Sequence, residues 1–569
     1  MSQKTQASID PPMVELPIAT HDSGFYKGFA RLVAIPAKVI VSLLILWVIF
    51  FPVSAMEVLE VANSTIIRDF AGWYIYLVAA MIVVCIVLAV VPKIGRLRIG
   101  VDGEEPEFST FSWISMLFGA GIGIGMLTYS TGEPLAHFLD SPDIIRGLAE
   151  PGSPEAVRPA YVWTFLHWGF GAWCTYALVG LAIGYVAHRR NLPLTIRASL
   201  VPLFGERMSG AWGHIVDVVA VVATILGVAV TMGLGVEQFV SGLHRIGMGE
   251  WLLNDQGTAS ALAIVSALLV LVGASTLSAL SGVGKGIKWL SNLNMGLSLC
   301  LLALFAVMGS GLYGLELFGL GIWDYVRTLP AHTLTVFPLD GTPIGDALHQ
   351  WQLDWSVFYW AWWIAFAPFV GMFIARISRG RTIREYILGV ALVPSLVCFL
   401  WMALLGGTAI ELELSGVAEG RILAAGISSQ LYETLAVMLS PGFAVAVSGL
   451  IVLLLMTYLI TSADSSILIV NTINGAGEER NEGGSGRRYH IVFWGLALAF
   501  VVGSMLILGG IEAIRITMII GALPFSVVVA VMCVAVVKAV VFDLKRQRSG
   551  VPTTGPECED WDGVPTTSE

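Results

Sequence analysis

The segment Trp360-Ala361-Trp362-Trp363-Ile364-Ala365-Phe366-Ala367-Pro368-Phe369 carries five aromatic side chains and a proline in ten residues. On a helix, Trp362, Phe366 and Phe369 stand at i, i+4 and i+7 and share one face, with Trp363 beside it. A second aromatic group comprises Trp168, Trp173 and Tyr176, of which Trp173 and Tyr176 are three apart and again share a face. Converging π-faces suit a diffuse, methylated cation that cannot donate hydrogen bonds, at roughly 0.5–2 kcal/mol per contact. Neither group contains an acidic residue, so the expectation is a cage for a quaternary cation without a buried carboxylate partner. Ordinary packing or lipid contact is the competing reading, although tryptophan favours membrane interfaces over span midpoints.

Two further segments could supply oxygen. Thr461-Ser462-Ala463-Asp464-Ser465-Ser466 interrupts an apolar run. Adjacent hydroxyls with freed carbonyls form the shell that a hard cation needs. Hydroxyls bonding back to their own helix are the alternative. Asp464 inside a span is costly unless paired, and it reads as a buttress. In Gly119-Ala120-Gly121-Ile122-Gly123-Ile124-Gly125, glycine occupies every second position. Each mid-helix glycine costs on the order of 1 kcal/mol relative to alanine, which favours an unwound stretch. Such backbone is tolerated in a membrane where it is buried or lines a cavity, so Ile122 and Gly123 are candidates to meet a solute directly. A close-packed GxxxG seam is the alternative.

The elements that must position these residues are membrane spans. Of 569 residues, 56% are hydrophobic and only 13% charged, about half the charge a soluble chain of this size carries. Twelve apolar runs are long enough to cross a bilayer, near 32–53, 72–92, 111–131, 161–187, 213–236, 259–281, 289–313, 356–375, 386–408, 441–470, 490–509 and 516–541. Stretches 315–328 and 420–437 are amphipathic and are expected along the surface. Threading the chain with its N-terminus in the cytoplasm puts 22 of the 31 lysines and arginines on that side. Seven fall opposite, and Lys38 and Lys538 lie within spans. That asymmetry predicts cytoplasmic termini. The domain reading is a cytoplasmic tail 1–31, two helices over 32–110 and a first repeat 111–313. A surface helix and loop 314–355, a second repeat 356–544 and a short tail 545–569 complete it. No long basic run is available for nucleic acid.

The two spans expected to be broken, the third (glycines) and the eighth (Pro368), are five apart. The fifth and tenth, equally separated, carry Thr224 and Thr461 with Ser462. Repeats of five spans must have opposite topology, which is a transporter design with a midplane site. At this level the sequence resembles the betaine/carnitine/choline transporter family. The stretch Trp355 to Arg381, the glycine-rich third span, Glu133-Pro134 and Thr461-Ser462-Ala463-Asp464 carry the resemblance. It implies an all-α polytopic membrane protein of twelve transmembrane helices, with a leucine-transporter-like core of two inverted five-helix repeats, assembled as a homotrimer. Trp168, Trp173, Tyr176, Trp362, Trp363 and Phe366 match aromatic positions around the family's substrate route. Glycine-betaine-carrying members typically hold a third tryptophan where Phe366 stands. The carbonyls of Gly119 and Ile122, with the hydroxyls of Thr461 and Ser462 and the carbonyl of Tyr458, match one sodium site. A second family site uses two threonines one turn apart near the aromatic matched by Phe369. Here those positions are Thr224 and Val228, and valine offers no side-chain oxygen. Gly125, an aspartate in proton-coupled choline carriers, favours sodium.

The resulting expectation is a secondary transporter in the plasma membrane (the bacterial inner membrane) that imports a quaternary ammonium or related methylated onium solute with Na+. Sodium-independent exchange of carnitine/choline-type compounds is the alternative. A channel or sensor lacks a filter repeat or a sensor domain. An enzyme lacks a nucleophile, base and orienter cluster, and His167 reads as a packed histidine. After Lys545, Arg546 and Arg548 the tail turns acidic (Glu557, Glu559, Asp560, Asp562, Glu569), which does not support the basic regulatory helix of osmosensing members.

Overall fold

A computed structural model describes residues 16–119, 123–281, 284–477, 485–549 and Thr553. Ile122 and the acidic tail residues lie outside the described residues, whose architecture is helical throughout, without a strand ladder. Helices of ten residues or more, numbered in chain order, are α1 (Arg31–Phe50), α2 (Pro52–Val90), α3 (Thr110–Gly119), α4 (Gly123–Leu139), α5 (Pro154–Trp168), α6 (Phe170–Arg190), α7 (Ala211–Arg245) and α8 (Ala261–Ser281). They continue as α9 (Gly284–Met308), α10 (Gly311–Leu334), α11 (Pro343–Gln352), α12 (Phe358–Ile377), α13 (Val393–Leu414), α14 (Ile427–Met438), α15 (Pro441–Asn474) and α16 (Ser485–Arg548).

Nine helical stretches among the described residues are long and apolar enough to cross a membrane, or ten if α9 and α10, bent by 107°, count as one span. The third run is described up to Gly119 in α3 and from Gly123 in α4, each too short alone, and the stretch expected to be unwound, 120–122, lies outside the described residues. The eleventh and twelfth runs share α16, whose backbone departs from helical geometry at Gly509 and Gly510. At about 1.5 Å per residue, its 64 residues far exceed a hydrocarbon core about 30 Å thick.

The breaks also differ from expectation. The fourth run, read as one helix, divides at Gly169 (φ −93°, ψ −134°) between α5 and α6. The Phe170 amide freed there donates to the Tyr325 hydroxyl at 2.9 Å, so α10 satisfies the break. The eighth run, expected to be broken, is continuous helix over α12 with Pro368 inside it. Proline removes one helical hydrogen bond, and close neighbours on both sides keep the turns in place. The irregularity falls earlier, in a π-helical turn over Leu353–Val357.

Small residues bring the helices around α12 into backbone contact, the usual means of close approach in membranes. A Cβ at Gly371 would lie 2.6 Å from Val179 Cγ1 and 3.1 Å from the Gly180 nitrogen, so α6 and α12 touch there. One at Gly171 would strike the Trp360 ring. On another side, a Cβ at Gly227 of α7 would sit 2.9 Å from the Ala365 carbonyl carbon. Buried charges at the helix ends are paired: Arg189 donates to Asp543 at 2.7 Å, Arg190 also pairs with it, and Tyr185 donates to it at 2.6 Å.

Gly371→Leu should therefore force α6 and α12 apart. Overpacking costs roughly 1–3 kcal/mol or more, so purified protein should show an apparent melting temperature lower by several degrees and reduced yield. An unchanged melting curve would show that this contact does not hold the bundle together.

Candidate functional site

The packing of α5 and α6 against α12 brings the two aromatic groups into contact. Trp362 and Trp363 stack, with centroids 4.7 Å apart and planes at 15°. Trp168 meets Trp363 edge-on at 5.3 Å and 71°, and Tyr176 meets it edge-on at 6.1 Å and 78°. Tyr176 also reaches Phe366 at 6.4 Å and Trp173 at 5.8 Å. All six expected aromatics are buried, and they form one connected group. These spacings are those of favourable offset and edge-to-face pairs. Tyr129 of α4 adds an aromatic that the sequence reading missed, lying 6.1 Å from Trp168 and 6.3 Å from Trp362.

Gly125 belongs to this chamber. A Cβ there would approach Trp168 Cη2 at 3.0 Å and Trp362 Cη2 at 3.2 Å. Glycine thus leaves the ring edges undisturbed. Two polar atoms of the group, Trp362 Nε1 and the Tyr176 hydroxyl, are buried without a hydrogen-bond partner. Buried polar atoms are normally satisfied, and exceptions concentrate where a ligand or water completes the set.

The sequence profile described as "BCCT, betaine/carnitine/choline family transporter" matches residues 32–545. The chain belongs to this family. It is a transporter, not an enzyme. An uncharacterized transporter of Mycobacterium tuberculosis is 38% identical over 532 residues, covering 92% of this chain and 85% of its own. The high-affinity choline transport protein of Escherichia coli is 35% identical over 525 residues, covering 90% and 74%. The glycine betaine transporter OpuD of Bacillus subtilis is 34% identical over 490 residues, covering 86% and 90%.

In this family member the described candidate cation ligands are divided between two elements, α3 and α15, with the candidate solute contact Gly123 at the start of α4. Gly119 ends α3, and Gly123 begins α4 directly against the Tyr458 ring of α15, which a Cβ would strike. Thr461 and Ser462 are buried on α15, and the Thr461 hydroxyl donates to the carbonyls of Thr457 at 3.0 Å and Tyr458 at 3.1 Å. Two expected ligands, the Tyr458 carbonyl and the Thr461 hydroxyl, are therefore adjacent. Asp464 accepts from Ser278 of α8 at 2.6 Å, tying α15 to that helix. At the second position, the Thr224 hydroxyl donates to its own helix at Ala220, 2.8 Å away, and Val228 and Phe369 are buried.

The sequence reading, which found no acid in either aromatic group, missed a buried carboxylate that bonds to the cage from behind. Glu133 of α4 is fully buried, and its Oε2 accepts from the Trp168 indole N–H and the Tyr359 hydroxyl, each at 2.5 Å. Its Oε1 lies 2.6 Å from His167 Nδ1 and 3.3 Å from His137 Nε2. The Tyr359 ring in turn packs 5.5 Å from Trp363 and 6.0 Å from Trp362. Glu133 stands 35 residues before Trp168, so no local spacing joins them. The available signal was an acid next to a proline at the end of an apolar run. His167, read as packed, is buried between Glu133 and the Ser356 hydroxyl and stacks on Tyr359 at 4.8 Å.

Proposed function

We propose that this protein imports a quaternary ammonium or related methylated onium solute, choline or a betaine, together with sodium. The observation that carries the reading is the buried aromatic cluster of Trp168, Tyr176, Trp362, Trp363 and Phe366, two of whose polar atoms lack a hydrogen-bond partner that a solute's polar end could supply. The choline and glycine betaine carriers among the relatives support the same chemistry. For sodium, the support is the pairing of the Tyr458 carbonyl with the Thr461 hydroxyl beside the start of α4. A hydroxyl that donates to its own helix keeps its lone pairs for a cation, so back-bonding does not favour sodium-independent exchange. Ser462 and the carbonyls of Gly119 and Ile122 complete the proposed shell. Val228 leaves the second site, at Thr224 and Phe369, one oxygen short.

The proposed arrangement is twelve spans with both termini cytoplasmic, the two inverted five-helix repeats forming a leucine-transporter-like core. The chain would work as a homotrimer in the bacterial inner membrane.

Two uptake measurements on reconstituted protein test this reading. Trp363→Leu keeps apolar volume but deletes a π-face, so apparent affinity for choline or glycine betaine should fall several-fold, in line with roughly 0.5–2 kcal/mol per contact. Undiminished affinity in a well-inserted variant would reduce the stripe to packing. Initial uptake against sodium at fixed membrane potential should follow a Hill coefficient of about one, and Thr461→Ala with Ser462→Ala should raise the half-saturating sodium at least about tenfold. A coefficient approaching two would mean that Val228 leaves the second site working. Uptake indifferent to sodium would overturn the coupling.

A further inference from the structure

The same Glu133 carboxylate that tethers Trp168 and Tyr359 has a further consequence, which rests on the onium reading of the chamber. Its Oε2 accepts from two cage-side donors, while Oε1 faces two histidines. With the His167 Nδ1 and His137 Nε2 protons turned toward Oε1, all four bonds are donated to Glu133, which is the arrangement of an acceptor-only, ionised carboxylate. The two groups that bond this charge pack against the stacked indoles, Trp168 on Trp363 and Tyr359 on both Trp362 and Trp363. A hydrogen bond from an indole N–H or a phenol O–H to a carboxylate pushes electron density into the ring, and low dielectric strengthens such chains. The ring face then attracts a cation more strongly, and the carboxylate's own field adds to it.

We infer that Glu133 is a specificity-determining positioning residue: bonded to Trp168 and Tyr359 behind the chamber, it gives the cage its preference for a positive charge over an uncharged solute of the same shape. Glu133 is not placed against the solute and acts through the two rings. A metal ion is the other occupant that Glu133, His137 and His167 suggest, since their ligand atoms lie within 4.8 Å of one another. Binding one would require breaking the 2.6 Å contact between Glu133 Oε1 and His167 Nδ1. The two bonds that Glu133 receives from the cage-side Trp168 and Tyr359 favour the electrostatic role.

The test uses the full-length protein and two probes of equal shape, choline and its neutral carbon isostere 3,3-dimethylbutan-1-ol, titrated against tryptophan fluorescence at fixed pH and sodium. Wild type should bind choline the more tightly. In Glu133→Gln the choline affinity should fall roughly tenfold while the alcohol shifts less than about twofold. Glu133→Asp, which keeps the charge, should retain most of the preference. A purely structural role would weaken both probes together and leave their ratio unchanged, and that result would overturn the inference. Should Glu133→Gln not reach the membrane, Tyr359→Phe breaks one of the two coupling bonds. It should reduce the ratio by a smaller factor, about threefold, and an intact ratio there would equally overturn the inference. A wild-type protein that binds the two probes alike fails at the earlier step, the onium reading, and removes this inference with it.

Discussion

The contact between α6 and α12 at Gly180 and Gly371 is the constraint on which the rest of the chamber depends. Large side chains there would hold the helix axes apart, and the aromatics on the two facing surfaces could not meet. With glycine on both sides, Tyr176 reaches Trp363 and Phe366, and Gly171 slides beneath Trp360. Gly227 brings α7 onto the same helix. Close approach therefore does two things at once. It replaces the hydrophobic driving force that lipid cannot supply between helices, and it gathers π-faces that sequence separation would otherwise keep apart.

A chamber of this kind carries polar groups into a low-dielectric interior, where each must be satisfied. The structure meets that demand with partners drawn from distant segments. Trp168, Tyr359, His137 and His167 surround Glu133, Tyr325 closes the break at Gly169, and Ser278 holds Asp464. These bonds also fix geometry. Trp168 is held from one side by a carboxylate and leans on Trp363 from the other, and the Trp363 indole donates to the His167 carbonyl at 3.0 Å. Two aromatic positions of the chamber are thus oriented by the same polar node.

Much of this was legible in the sequence. The helical class follows from long apolar runs, and the aromatic face of α12 from its i, i+4, i+7 spacing. Where the reading failed, tertiary contacts overruled local signals. Pro368 suggested a broken span, yet packed neighbours keep α12 continuous. Gly169 is a single glycine among aromatics, and its break is stabilised by Tyr325, more than 150 residues away. Glu133 entered the sequence reading only through the Glu133-Pro134 motif, because nothing nearby in sequence announces that Trp168 and Tyr359 will bond to it. The eleventh and twelfth apolar runs lie in α16 on either side of the non-helical backbone at Gly509 and Gly510, close to where hydropathy divides them. Polar partnerships across the bundle leave no periodic trace, whereas apolar faces do.

The central claim is that a methylated cation sits among the rings of α4, α5, α6 and α12. The direct test is a crystal of the protein with arsenobetaine, whose arsenic atom replaces the quaternary nitrogen and can be located by its anomalous scattering. The account predicts one arsenic peak within about 6 Å of the ring centroids of at least two of Trp168, Tyr176, Trp362 and Trp363. An arsenic peak bound elsewhere in the bundle, with these rings still packed on one another, would contradict it.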